Sequence, residues 1–449
     1  MEISLQNYEF GKESDLEGMP LTDSINQFVD QLPNELAFVL NKISLADGGA
    51  WLVGGAVRDA ALGIYPDDID IATDLEPERL LSIFPGSIET GIAFGTITIR
   101  SGEYHFQTTT LRSEDNYSDN RRPNSVNWET SLKSDLERRD FTINAMAIDV
   151  ARRILYDPHA GLIDLENKII RCVGIPMQRI SEDALRMLRA YRFLGHRGNK
   201  VWRLESQLQK AIKDNSFLIK GLARERIWQE LKKILNSNVA CEIVGRMLEN
   251  DILDHIFNCN IDNKSQLKTT LKDSTLLDYI SLLVLILNHL PNLEIIKVCQ
   301  SLKLPNKDLK MVRKTIHYQG KLPKIAVPEL RIFRYLLSER CMQQLQFELI
   351  IRKNLLVNTE EIDYLQVISI IDEIQKLKPL KKDYQIIDGH WLMAATNLGQ
   401  GERLGRLKEW LYRLQIEHDL SNIHEVSELL CKIQWLDVDF QSWPKLSLL

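Results

Sequence analysis

Trp51-Leu52-Val53-Gly54-Gly55-Ala56-Val57-Arg58-Asp59, followed after eight residues by Asp68-Ile69-Asp70-Ile71-Ala72, decides how this chain is read. An apolar triplet, a Gly-Gly pair and an Ala-Val-Arg start spell strand, tight turn and helix. The second stretch alternates with period two, which predicts a strand over Asp68–Ala72. Side chains at i and i+2 leave one face of a strand, so both carboxylates point one way and Ile69 and Ile71 the other. Two acids held together repel unless a divalent cation or a shared proton relieves them. A hard cation with oxygen ligands, Mg²⁺ above all, suits them. The glycines let backbone N–H groups approach a phosphate, and Arg58 lies just inside the helix. This is not the GxGxxG fingerprint, because the third glycine and its spacing are missing. Taken alone, Gly-Gly is also a plain turn and Arg58-Asp59 a surface ion pair. Coupled to Asp68 and Asp70, the block points to nucleotidyl transfer from an Mg²⁺-bound triphosphate.

Two further runs carry chemistry. Arg138-Arg139-Asp140-Phe141-Thr142-Ile143-Asn144-Ala145 offers arginines for phosphate and Asp or Asn for a ribose hydroxyl; it also reads as a helix start with capping residues. Glu182-Asp183-Ala184-Leu185-Arg186-Met187-Leu188-Arg189-Ala190-Tyr191-Arg192-Phe193 reads as one helix. Asp183, Arg186 and Arg189 would then share a ridge, with Arg192 turned away. An Asp acceptor beside an Arg donor can read a base edge; the plainer reading is an i,i+3 salt bridge. His418-Asp419 resembles a phosphohydrolase dipeptide but has no histidines nearby at helical spacing.

The bulk numbers set the frame. A chain of 449 residues exceeds one core and predicts several domains. A net charge of −6 excludes a uniformly basic coat. It leaves room for a local stripe: Lys297, Lys303, Lys307, Lys310, Arg313, Lys314, Lys321 and Lys324 surround a single acid, Asp308. The first six of these are candidate RNA-backbone contacts; the alternative is a solvated helix face. Six scattered cysteines without CxxC spacing read as buried thiols of a reducing cytosol, not a disulfide or zinc framework. The longest apolar run, Ile280 to Leu287, is too short to span a bilayer, and no leader pattern opens the chain. The expected location is cytoplasmic.

Along the chain, a short helix near Leu21–Leu32 and a helix over Glu35–Leu45 precede the Gly-Gly block. Strands are expected at Gly95–Ile99 and Tyr104–Leu111, joined as a hairpin, and at Ala145–Asp149 and Ile154–Asp157. Residues 113–135 are polar and read as a mobile loop. Beyond Pro176 every periodic segment, from 180–196 to 422–434, is helical. The expected fold is α+β: a compact head with a small sheet, then a long all-α arm. The expected division is an N-terminal extension (1–34), head (35–173), neck (174–236), body (237–325) and tail (326–449).

The ordered blocks GGAVRD…DIDIAT, RRDFTINAMA and EDALRMLRAYRF, with DPHAGLIDLENKIIRCVG between the last two, resemble the bacterial-type class II tRNA nucleotidyltransferases. These comprise CCA-adding enzymes and their poly(A) polymerase relatives, within the DNA polymerase beta superfamily. The resemblance runs from about residue 50 to GLARERIWQELKKIL, and DGHWLMAATNLGQGERLGRL is similar to the tail of related proteins. It implies a polymerase-beta-like head with an elongated helical neck, body and tail, and tRNA, CTP and ATP as partners. It further implies that Asp68 and Asp70 hold Mg²⁺, and that Gly55 and Arg58 bind the triphosphate. Arg139 would contact the nucleotide, with Asp140 and Asn144 near the sugar. Asp183 and Arg186 would pair with C or A, and Arg189 and Arg192 orient the nucleotide. Residues 113–127 look like the element that switches the pocket from CTP to ATP. Two positions depart from the pattern: Gln107 stands where members often carry a third acid, and Asp67 where a lysine is common. The full-length segment from Arg112 to Arg138 disfavours a CC-only enzyme. A-adding, poly(A)-adding and non-catalytic RNA-binding readings are the alternatives.

Overall fold

The computed structural model describes residues 11–92, 95–117, 123–128, 130–196, 198, 200–355, 362–379 and 386–447. It divides into two compact units, Met1–Asn260 and Ile261–Leu449.

In chain order the strands of the first unit are β1 (Met19–Pro20), β2 (Ala50–Val53), β3 (Asp70–Thr73), β4 (Ile88–Gly91), β5 (Thr96–Ser101), β6 (Tyr104–Thr110), β7 (Arg112–Tyr117), β8 (Pro123–Trp128), β9 (Ala147–Asp149), β10 (Ile154–Tyr156), β11 (Ile169–Ile170) and β12 (Arg203–Leu204). Eight of them build one mixed sheet in the order β1-β10-β9-β2-β3-β6-β5-β4, while β7–β8 and β11–β12 form separate pairs. The helices are α1 (Asp23–Asp30), α2 (Asn34–Leu45), α3 (Gly55–Ala61), α4 (Pro77–Ile83), α5 (Leu132–Glu137), α6 (Gly161–Asn167), α7 (Pro176–Glu182), α8 (Leu185–Leu194), α9 (Ser206–Asn215), α10 (Arg224–Leu235), α11 (Ala240–Glu249) and α12 (Ile252–Phe257).

Period-two alternation sorts the central strands. Leu52 and Ile71 are fully buried on one face. Trp51, Val53, Ala72 and Ala147 form a core on the other with Leu132 and Leu136 of α5. Burying each large apolar side chain contributes roughly 1.5–3 kcal/mol, so this patch fixes α5 against the sheet. The expected β5–β6 hairpin is present, with Ser101 opposite Tyr104 and a left-handed Gly102 at φ +58° in the turn.

Three expectations are corrected. The strand expected from Asp68 starts at Asp70, and Asp68 lies in the preceding bend. The polar segment read as a loop over 113–135 contains the antiparallel pair β7–β8 and then α5. Its strands draw on backbone hydrogen bonds, which leave no apolar period to read, and residues 118–122 lie outside the described residues. The helix expected over 180–196 is broken: Asp183 is extended (φ −144°, ψ 101°) between α7 and α8.

The second unit is helical throughout its described regular structure: α13 (Lys264–Lys272), α14 (Tyr279–Leu287), α15 (Asn292–Ser301), α16 (Asn306–Tyr318), α17 (Val327–Leu337), α18 (Cys341–Asn354), α19 (Ile362–Lys376), α20 (Gly389–Thr396), α21 (Glu402–His418) and α22 (Ile423–Lys432). The apolar run Ile280–Leu287 is wholly buried in α14, whose N-cap Asp278 accepts the Ser281 N–H. Among the described residues no single helix is long and apolar enough to cross a membrane. No disulfide joins cysteines among the described residues; Cys172, Cys299 and Cys341 are buried as expected, whereas Cys431 is exposed.

Candidate active site

The sheet register assembles the site. In the antiparallel β2–β3 pair Val53 lies opposite Asp70, so the turn leaving β2 and the acid opening β3 occupy the same sheet end. Gly54 sits at φ +71°, a conformation that favours glycine. On the other side, Asp70 is the register partner of Gln107 in parallel β6. The exposed Gln107 therefore sets an uncharged amide beside Asp70.

Asp68 precedes the strand, so alternation alone does not align it with Asp70. Electrostatics connects the two. Burial pushes the Asp70 carboxyl above its ordinary value, Arg139 pulls it back, and the negative charge of Asp68 pushes it further up. Among the described residues neither carboxylate has an ion-pair partner within 4.0 Å. Two hard oxygen donors in mutual repulsion suit a divalent cation. No cluster of three or more His, Cys, Asp or Glu able to hold a metal occurs among the described residues. A cation on Asp68 and Asp70 would thus complete its shell from other oxygens, such as phosphate and water.

Four residues expected to face the nucleotide are joined to one another. Arg58 is 8% exposed. Its Nη1 donates to Asn144 Oδ1 (2.6 Å) and its Nε to Asp59 Oδ1 (3.0 Å). Asn144 Nδ2 donates to Asp140 Oδ1 (3.1 Å), and Asp140 Oδ2 accepts from Arg189 Nε (2.7 Å). Arg58, Asn144, Asp140 and Arg189 thus form one continuous chain. Arg58-Asp59, for which a surface ion pair was the alternative reading, is buried; His196 Nε2 lies 2.9 Å from both Arg58 Nε and Asp59 Oδ1, accepting from the first or donating to the second by tautomer. Burial alone would raise Asp59, but the His196 hydrogen bond and the Arg58 charge hold it below the ordinary value. Gly55 opens α3, and a Cβ there would lie 3.6 Å from Arg58 Nη2.

The α8 ridge differs from expectation. Asp183 does not pair with Arg186. Its Oδ1 accepts the Leu185 N–H (3.0 Å) and its Oδ2 accepts from Arg226 Nη2 of α10 (2.9 Å). Arg186 Nη1 instead donates to Glu182 Oε2 (2.7 Å) and to the Arg179 carbonyl (2.9 Å). The helix break turns the Asp183 side chain off the ridge, which removes the i,i+3 geometry. Arg58, Arg189 and Arg192 surround the Phe193 ring, at 5.3, 5.8 and 4.3 Å from its centroid. Burial lowers Arg192 below the ordinary arginine value although Glu230, 2.7 Å away, opposes this. Each of the three guanidinium groups already faces a carboxylate: Asp59, Asp140 and Glu230 respectively.

In the second unit, Lys307, Lys310 and Arg313 are exposed along α16, and Lys303 is exposed just before it. Lys297 is exposed on α15 and pairs with Glu294. Lys314 is less open, donating to the Leu337 carbonyl (3.4 Å). The residues missed from sequence, Asp135, His196, Arg226 and Glu230, all act on the expected arginines or on Asp183. Only the i,i+4 spacing of Arg226 and Glu230, placing a base and an acid on one face of α10, gave any signal.

Comparison with known proteins bears on the fold and the family. Residues 50–171 match the family model for the poly A polymerase head domain, and residues 203–259 the probable RNA and SrmB-binding site of polymerase A. The crystal structure of the Bacillus stearothermophilus CCA-adding enzyme in complex with CTP superposes with a TM-score of 0.69 at 23% identity, covering 92% of this chain and 98% of that one. The Thermotoga maritima CCA-adding enzyme complexed with tRNA gives 0.61 at 19% identity, covering 91% and 98%. These likenesses establish the fold. In sequence, a CCA-adding enzyme of Streptococcus pneumoniae is 39% identical over 238 residues, 53% of this chain and 57% of its own length. The CCA-adding enzyme of Lactobacillus helveticus is 38% identical over 300 residues, 65% of this chain and 73% of its own. On that coverage and identity, the chain belongs to the family of CCA-adding enzymes.

Proposed function

We propose that this protein adds CMP and AMP to the 3′ end of tRNA from CTP and ATP, releasing pyrophosphate and building or repairing the CCA terminus without a nucleic-acid template. The observation that carries the reading is the acid couple, Asp68 and Asp70, without an ion-pair partner among the described residues, at the sheet end where the Gly54-Gly55 turn leaves β2. Asp68 and Asp70 would hold Mg²⁺. When bound, the ion withdraws charge from the phosphate oxygens and favours the ionised tRNA 3′-hydroxyl as nucleophile. Gly55, at the start of α3, would approach the triphosphate. Arg139, close enough to act on Asp70, would contact the nucleotide and supply positive charge as negative charge develops on the transferred phosphoryl group. Arg189 and Arg192 supply positive charge along the nucleotide, and Arg58 fixes Asn144 and Asp140 from below. Asp183 and Arg186 would read the base edge, each held by its own partner, Arg226 and Glu182. The exposed Lys303, Lys307, Lys310 and Arg313, with Lys297 and Lys314, support a hold on the RNA backbone. On this reading residues 35–173 are the catalytic head, 174–236 the neck, 237–325 the body and 326–449 the tRNA-binding tail, and the protein acts in the cytoplasm.

The match to a poly A polymerase head keeps A-only or poly(A) addition as the second reading. Product length separates them. Offered tRNA ending before the first C, after CC, and after complete CCA, the protein is expected to extend the first by CCA and the second by A, and to leave the third unchanged. Extension of the second alone would assign A addition, and a growing A ladder on the third would assign poly(A) synthesis; either overturns the proposal.

A further inference from the structure

We infer that Asp135 is the positioning residue for Arg139, fixing its guanidinium against the Gly54 turn and away from the acid pair; this rests on the nucleotidyl-transfer reading of the site. Asp135 is 1% exposed, in a short helix pinned to the sheet by Leu132 and Leu136. The Ser131 hydroxyl caps that helix by accepting the Ser134 N–H (3.1 Å). Spacings of three and four residues bring Arg138 and Arg139 to the same carboxylate. The two oxygens are divided between them. Oδ1 accepts from Arg138 Nε (2.9 Å) and Nη2 (2.5 Å). Oδ2 accepts from Arg139 Nε (3.2 Å) and Nη2 (3.0 Å).

Engaging Nε and Nη2 of Arg139 leaves Nη1 as the group turned toward the site. Nη1 donates to the Asn144 carbonyl (3.5 Å) and lies 2.9 Å from where a Gly54 Cβ would stand. Glycine at 54 therefore meets two needs, the left-handed turn and the seat of this guanidinium. Arg139 is close enough to lower Asp70, yet the two do not form an ion pair within 4.0 Å. A guanidinium released from Asp135 lies within electrostatic reach of Asp70. It would then compete with a cation for the acid pair and lose its grip on the nucleotide. Burial alone would raise Asp135, and the two arginines hold it below the ordinary value, so its charge persists at neutral pH.

The test is a double-mutant cycle on the full chain, reading KM for CTP and kcat separately, with thermal melting as a check on folding. Loss of a charge-assisted hydrogen bond to phosphate predicts that Asp135→Asn raises KM by about tenfold, with kcat reduced less. Adding Asp135→Asn to Arg139→Gln should raise KM no further, while in an Arg138→Gln background it should keep its full effect. Independent, multiplying losses in the Arg139→Gln background would overturn the inference, as would an unchanged KM in the folded single variant. Failure of the site reading looks different: Arg139→Gln itself would then leave KM for CTP unchanged. Should Asp135→Asn not fold, the Arg139 Nε–H signal of the wild-type protein, assigned by its loss in Arg139→Gln, decides. Slow solvent exchange before nucleotide is added supports the inference, and fast exchange overturns it.

Discussion

Replacing Asp70 by alanine is expected to abolish nucleotide incorporation while leaving tRNA binding within about twofold of wild type. Metal-ion stabilisation of a transferring phosphoryl group contributes several kcal/mol, so a loss of about a thousandfold or more in kcat is expected. Binding should persist because the RNA-facing candidates lie on other elements, α15 and α16, in the second compact unit. The fold should persist too. Burial and Asp68 both raise the Asp70 carboxyl, so its ionised form opposes folding rather than supporting it. The sign follows from linkage. A raised folded-state value contributes stability only in acid and loses it as pH climbs through that value. At neutral pH the variant should melt no lower than wild type in chelator. Single-turnover incorporation together with a filter-binding titration checks both halves, and unchanged incorporation would refute the role of the acid.

Asp140→Ala is expected to fail in the opposite way, through stability. Asp140 is 9% exposed and accepts from Arg189, Asn144 and its neighbour's backbone N–H. Removing it leaves the Arg189 guanidinium without its carboxylate and cuts the chain linking Arg58 to α8. Breaking a fully buried pair on one side costs about 3–5 kcal/mol; the Arg189 side chain is 33% exposed, so about 2–3 kcal/mol is expected. Denaturant unfolding of the first transition measures it. The pH dependence has the reverse sign to that of Asp70. Burial alone would raise Asp140, but Arg189 and Asn144 hold it below the ordinary value. Its contribution is present above the ordinary carboxylate range and is lost as pH falls through the depressed value. Wild type and variant should therefore converge only in strong acid, and a gap of constant size down to low pH would contradict the assignment.

The head was legible because its signals are local. Gly54, the β5–β6 hairpin and the alternation through Ile71 each depend on neighbours in sequence, and the structure repeats them. The start of β3 was placed two residues too early, at Asp68, since nothing in Asp67-Asp68-Ile69-Asp70 marks where pairing with β2 begins. The pairing of Asp183 with Arg186 was misread for a different reason. A continuous helical pattern runs through Glu182–Phe193, but a partner 43 residues away, Arg226, holds Asp183 at a break. Asp135 escaped notice because its helix has two core leucines in an otherwise polar segment. Long-range partners decide what an arginine does, and sequence spacing does not record them.

The most direct test of the central claim measures cation binding at the acid pair. Mn²⁺ titrated into the protein in the presence of CTP, followed by electron paramagnetic resonance of the free ion, is expected to show binding that Asp68→Asn and Asp70→Asn each remove while the protein stays folded. Mn²⁺ binding that survives in both folded variants would contradict the account.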